Sequence, residues 1–374
     1  MKKKIRNLIF ILIGILALLF TFRTIYRDYN FEKDKQFLLE LKSKAGAGEV
    51  KYVLDKMEGI EGLSNPLINF VYQKWKKKMY TRFISKDEII ENTSENRVVN
   101  DISNIYREYW RTELLKENSE DRTDSLLYKN LTNYLLSNQL TKITKDSLIR
   151  TIKNDSELKR IIEKEGFKSR FLYRNGFQDL VIWNKVSRKN YKITLPKETI
   201  NTTVIFIENY SLNGYDYYAT LGSAQAGGWA VKESATLYCN KGVYDLTSEE
   251  FEISFLKHES LHFADLNEYP NLSTTDLEYR AKLVELMYCT KKSLDGRMIY
   301  FLNGANSSDR RHAHAYANYV LIKNLSELLF NSEYENDFNK WKELSVEDIN
   351  NAATTLYKMS ETTLEKNKTV FEII

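Results

Sequence analysis

Proline, glycine and cysteine are scarce in this chain of 374 residues, with three, 14 and two respectively. No glycine- or serine-rich stretch and no internal repeat interrupts it, so no linker marks a domain boundary. Cys239 and Cys289 allow at most one disulfide in an exported domain, and two buried free thiols fit the sequence equally well. An excess of charge of one sign is also missing. The 55 basic and 51 acidic residues leave a net charge of +4, which gives no electrostatic argument for nucleic acid as a partner. The basic cluster around Lys76, Lys77 and Lys78 reads as a solvated helix face or a membrane-facing rim. With 43% apolar residues, the chain has enough to build one or two globular domains.

Long apolar runs are limited to one, Leu8 to Phe22, which carries no charge and follows Lys2, Lys3, Lys4 and Arg6. At 1.5 Å per residue it spans about 22 Å against a hydrocarbon layer of about 30 Å. Basic residues ahead of a short apolar core have the form of an export signal. No small-x-small cleavage pattern follows and no cysteine is placed for lipid attachment. The expectation is therefore an uncleaved signal-anchor over residues 1–27, extended by Thr21 and Thr24 with Arg23 snorkelling. This makes a single-pass cell-membrane protein with its catalytic domain extracytoplasmic. A buried core helix is the plainer alternative.

Histidine is rarer than any of these functions would suggest: four residues in the whole chain. Two stand in His258-Glu259-Ser260-Leu261-His262. An α-helix advances 3.6 residues per turn, so residues four apart lie on one face and both imidazoles can reach one metal ion. Imidazole nitrogen suits Zn²⁺, and a third protein ligand leaves a tetrahedral position for water. Glu259 stands beside that position as a candidate general base. With so few histidines, the pattern arises by chance with a probability on the order of one in several hundred. Thr247 and Glu250 have the spacing of a capping box, Glu249 and Glu252 suit the positive end of a helix dipole, and Phe251, Phe255, His258, His262 and Leu266 recur at helical spacing. The motif is thus predicted on a helix with one buried face.

His-Glu-x-x-His on a helix is the signature of the zincin superfamily of zinc metallopeptidases, and this chain resembles that superfamily over about 90 residues around the motif. The metzincin branch continues with a glycine and a third histidine, which are absent here; the gluzincin branch, whose third ligand is a glutamate on the next helix, is the closer likeness. Pro270 and Asn271 break the first helix and residues 273–288 read as a second. Glu278 is the candidate third ligand, 16 residues beyond His262, with room for a loop and an antiparallel return. Glu285, Glu268 and Asp276 are alternatives, and Thr275 with Glu278 also has the form of a capping box. Gluzincins often carry an acidic residue four positions beyond the ligand glutamate to orient one histidine, where this chain has Lys282. Asp265 is a candidate for that role, or else an exposed helix-end carboxylate.

The resemblance also implies a downstream group donating a hydrogen bond to the tetrahedral oxyanion. His312 and His314, on a helix predicted from Ser307 or Ser308 onward, are the candidates, with Arg280 and Tyr316 behind them. Residues two apart on a helix point about 200° apart, so only one of the two histidines can face the site. Zincins further pair an extended substrate with an edge strand ahead of the motif helix, a place that Trp229 to Lys232 fits, although Gly227 and Gly228 also suit a simple turn.

The fold class expected is α+β. Residues 28–165 show helical stripes (Phe37, Leu38 and Leu41; Leu67, Phe70, Val71, Trp75 and Tyr80; Ile102, Ile105, Tyr106 and Trp110) and form a helical domain. Residues 166–374 form a zincin-like metallopeptidase domain with a small sheet. It opens with a hairpin turning at Asn175-Gly176 and includes strands at 180–183, 203–207, 227–232 and 235–239. The functional expectation is hydrolysis of a peptide or protein substrate by a zinc-activated water. The competing expectations are a membrane-tethered binding or scaffold protein with a closed or inactive zinc site, and a hydrolase of non-peptide esters or amides.

Overall fold

The computed structural model describes residues 29–88, 94–174, 176–225, 227–231 and 236–374, with positions 14, 15, 18 and 21. The chain forms two compact units, one of residues up to 184 with 209–225, the other of residues 185–208 with 226–374. The change from helix to strand falls between Lys164 and Lys168, while the chain passes between units within two long strands, Phe177–Thr194 and Thr199–Asn213.

The first unit is mainly helical, with helices Tyr29–Gly46, Val50–Glu58, Pro66–Tyr80, Arg97–Leu114, Ser125–Ser137, Lys145–Lys153 and Ser156–Lys164. Side-chain caps from Asn65 and Asn96 start two of them, accepting N–H groups that have no intrahelical partner. Its core joins Leu41, Val53, Met57, Trp75, Ile102, Tyr106, Trp110 and Leu131. The stripe expected on Pro66–Tyr80 is corrected in part: Tyr72, Trp75 and Met79 are buried, whereas Leu67, Phe70 and Val71 are exposed. The apolar positions formed two adjacent faces, and only the one carrying the larger rings is buried. β1 (Lys168–Arg174) pairs antiparallel with the start of β2 (Phe177–Thr194), Arg174 opposite Phe177. The two-residue connection includes Gly176 at φ 82°, a left-handed conformation that suits a tight hairpin.

In the second unit, β3 (Thr199–Asn213) runs parallel to β5 (Thr236–Asn240), and β4 (Gly228–Val231) pairs antiparallel with β5. The strand order is β1-β2-β3-β5-β4, so β4 is an edge. A Cβ on Gly228 would meet Phe255 and the Tyr238 carbonyl, each at 2.3 Å, so glycine permits the close approach of edge strand and motif helix. The helices that follow are His258–Glu268, Thr274–Tyr288, Lys291–Asn303, Ala313–Phe330, Phe338–Lys342 and Val346–Lys366. Thr274–Tyr288 is central: twelve of its residues are buried, and its apolar side packs into a core with Phe251, Phe255, Leu321, Leu325, Ala353 and Leu356.

The membrane segment expected at residues 1–27 is corrected. Among the described residues no helix is long and apolar enough to cross a membrane. The physical reason is length, since the 15 apolar or uncharged residues from Leu8 to Phe22 fall short of a hydrocarbon layer of about 30 Å. Apart from Gly14, Ile15, Leu18 and Thr21, that run lies outside the described residues. The signal-anchor, the single-pass localisation and the extracytoplasmic placement of the catalytic domain rested on it and fall with it.

Candidate metal centre

The motif lies on a helix, entered through an unusual turn. Ser248, rather than Thr247, caps the start, its hydroxyl accepting from the Phe251 N–H at 3.1 Å. Glu250 is turned away to Arg297 at 3.3 Å, so the expected capping box does not form. Residues Phe251–Lys257 then make a π-helical turn before His258–Glu268 continues as α-helix. A π-turn carries more residues per revolution and shifts the phase of everything after it. Here it sets Ser254 and His258 against the same carboxylate, that of Glu285.

His258 and His262 are neighbours on the helix, their rings nearly perpendicular (85°) with centroids 4.9 Å apart. The next helix is capped by Ser273, which accepts from the Asp276 N–H. Thr275 is engaged elsewhere, donating to the Arg310 carbonyl at 2.9 Å. Glu278 is therefore free of the capping box that its spacing allowed, and its carboxylate points at both imidazoles. His258 Nε2 lies 3.4 Å from Glu278 Oε2, and His262 Nε2 lies 3.4 Å from Glu278 Oε1. Both separations exceed an ordinary hydrogen bond and match the edge of a tetrahedron built on metal–ligand bonds of 2.0–2.2 Å, about 3.3–3.6 Å. His258, His262 and Glu278 form a group that can hold a metal ion, with ligand atoms all within 4.8 Å of one another.

The surrounding charges fit a cation. Glu278 is 6% exposed, and its Oε2 takes no well-directed hydrogen bond, although His314 Nδ1 lies 2.8 Å away. We read that pair as close in distance but out of line. Burial pushes the Glu278 carboxyl up, and the charge and hydrogen bonding of His258, with the ring nitrogens of His262 and His314 beside it, outweigh it and hold the group well below the usual range. For His258, burial opposes the charged form, yet Glu278 and Glu285 outweigh it and lift the imidazole to about 10. Two imidazoles and a carboxylate converging in a buried site make a donor set suited to a metal ion.

Glu285, an alternative third ligand in the sequence, stands behind the first carboxylate. Its Oε1 is 2.7 Å from His258 Nδ1, which leaves Nε2 directed at Glu278. Its Oε2 accepts from Ser254 at 2.7 Å and from Arg297. Burial opposes its charge, and the hydrogen bond and charge of His258, with Arg297 and Lys282, bring it down to about 2. Ser254 and Arg297 were not foreseen. Ser254 had a signal, since it precedes His258 by four residues, whereas nothing in its own segment marks Arg297.

The other expected residues are dispersed. Glu259 is half-buried and forms no hydrogen bond or ion pair among the described residues; its negative charge adds to burial in raising the Cys239 thiol to about 12 and in raising Tyr244. Both remaining histidines are exposed: His314 Nδ1 comes within 2.8 Å of Glu278, whereas His312 lies 3.9 Å from Asp309 and stands just before the helix Ala313–Phe330, so the helical relation expected between the two does not apply. Asp265 does not orient a histidine: it binds the fully buried Arg280 through two contacts of 2.7 and 2.9 Å. Arg280 also donates to Ser360, Tyr357 and Glu361, so it ties helices together and is withdrawn from the site. Glu268 pairs with Lys197 and Lys368, and Asp276 with Arg310. Cys239 and Cys289 are buried free thiols. Compared with known protein families, curated proteins and solved structures, the chain matches none.

Proposed function

We propose that this chain is a zinc-dependent hydrolase of peptide bonds, with the gluzincin pattern of ligands. The reading rests on the two 3.4 Å separations between the imidazoles and Glu278, with Glu259 one residue along the same helix. When bound, Zn²⁺ supplies a Lewis acid that lowers the pKa of water from 15.7 to about 7 and polarises the scissile carbonyl. His258, His262 and Glu278 hold the ion, and Glu285 fixes the tautomer of His258. Glu259 takes the proton from the attacking water and passes it to the leaving nitrogen. His314 donates a hydrogen bond to the oxyanion of the tetrahedral intermediate. β4, an edge strand packed beside the motif helix, offers backbone groups to an extended peptide.

The 2.8 Å approach of His314 to Glu278 favours a second reading, in which His314 joins the ligands, closes the coordination and leaves a binding protein with a structural ion. One experiment separates the two. The full chain and its Glu259→Gln variant are assayed for zinc content and for cleavage of a peptide library. The hydrolase reading predicts cleavage by the wild type, and a loss of at least about a hundredfold in the variant with zinc retained. A zinc-loaded wild type that cleaves nothing, or an unchanged rate in the variant, overturns it.

A further inference from the structure

Lys282 lies one helical turn beyond Glu278, at the position where the resemblance implied an acidic residue. It is not a surface lysine. The residue is 1% exposed, its ammonium is 3.6 Å from Glu278 Oε2, and it lies 5.5 and 5.9 Å from the ring centres of Phe301 and Tyr300. Those rings stabilise a cation through their faces while excluding water.

The charges around the centre can be summed. Glu278 and Glu285 are negative and Lys282 and Arg297 positive, Arg297 being shared between Glu285 and Glu250, so Lys282 offsets charge on the carboxylate that an incoming ion would meet. A carboxylate in place of Lys282 would leave the same set two units more negative. In a buried, weakly screened site that difference acts directly on an incoming divalent cation. Orientation of His258, the other duty of a carboxylate here, is performed by Glu285, so Lys282 is not needed for it.

We propose that Lys282 is a resident counter-cation of this site: it balances Glu278 in the metal-free chain and weakens divalent-ion binding, so that occupancy follows the free metal level. The inference rests on the metal-centre reading above and deepens it. Lys282 acts through Glu278 and is a positioning residue.

The test compares the full-length wild type with Lys282→Met, Lys282→Gln and Lys282→Arg. Zinc affinity is measured by chelator competition, and the absorption spectrum of the Co²⁺ form reports the ligand set. The expected result is zinc binding tighter by about tenfold or more in the two neutral variants, an affinity in Lys282→Arg close to wild type, and a Co²⁺ spectrum unchanged throughout. Having two neutral variants keeps the comparison available if one fails to fold. Neutral variants that bind zinc no tighter than wild type, or less tightly, overturn the proposal while leaving the metal centre standing. A wild type that binds neither Zn²⁺ nor Co²⁺ overturns the metal centre itself.

Discussion

His258 Nδ1 lies 2.7 Å from Glu285 Oε1, so the imidazole is pinned from behind and turns its other nitrogen toward Glu278. The carboxylate is held in turn by Ser254 and Arg297. Outer-shell partners of this kind set ring orientation and ligand basicity, and removing them costs about 10–100-fold in metal affinity. Glu285→Gln keeps an oxygen for the Nδ1 proton but gives up the charge, so a loss of about tenfold is expected in zinc competition; Glu285→Ala gives up both and approaches a hundredfold. Affinities within twofold of wild type in both variants would contradict this role.

Arg280 has a different duty. Its guanidinium is fully buried among Asp265, Glu361, Ser360 and Tyr357. Arg280→Met leaves two carboxylates in the interior without their partner, and breaking a buried pair costs about 3–5 kcal/mol. Denaturant unfolding should show a loss of that order in the second unit, with zinc affinity of the folded fraction nearly unchanged. A destabilisation under 1 kcal/mol, or a zinc affinity that falls with it, would contradict a purely structural network.

The first unit carries a pH-dependent contribution to stability. Burial raises the Asp155 carboxyl from 3.8 to about 6, so the folded chain holds a proton that the unfolded chain has released. Stability therefore falls as pH rises from about 4 to about 6 and stays reduced above that window. Asp155 heads the helix Ser156–Lys164 in a left-handed conformation (φ 62°), which asparagine tolerates well. Asp155→Asn should stabilise the unit by about 1–2 kcal/mol at pH 7, after discounting for partial exposure, and by little at pH 4. Equal effects at the two pH values would contradict the burial of this carboxyl.

Much of the centre was legible because its geometry is local. The His258–His262 spacing follows from helix pitch, and Glu278 follows from the length of chain needed to return. The hairpin at Gly176 was marked by its turn residues. What stayed hidden depends on tertiary placement. Asp265 and Arg280 are plausible site residues in sequence and are drawn away by the helix Val346–Lys366, whose own residues gave no hint of it. Arg297 reaches Glu285 from a helix that the sequence did not connect to the motif. The capping box at Thr247 does not form because the Thr247 hydroxyl donates to Asp245 and Glu250 turns to Arg297, leaving Ser248 to accept from the Phe251 N–H. The run Leu8 to Phe22 has the composition of a membrane segment without its length, so its hydropathy alone pointed to a span that the described residues do not contain.

The central claim is that one divalent ion is held by His258, His262 and Glu278, and its most direct test is equilibrium dialysis of the full chain against Zn²⁺, in parallel with His262→Ala and Glu278→Ala. The account predicts one zinc per wild-type chain and a loss of affinity of at least a hundredfold in each variant, all three chains remaining folded. Zinc bound equally well by the variants, or a wild type that retains none, would contradict it.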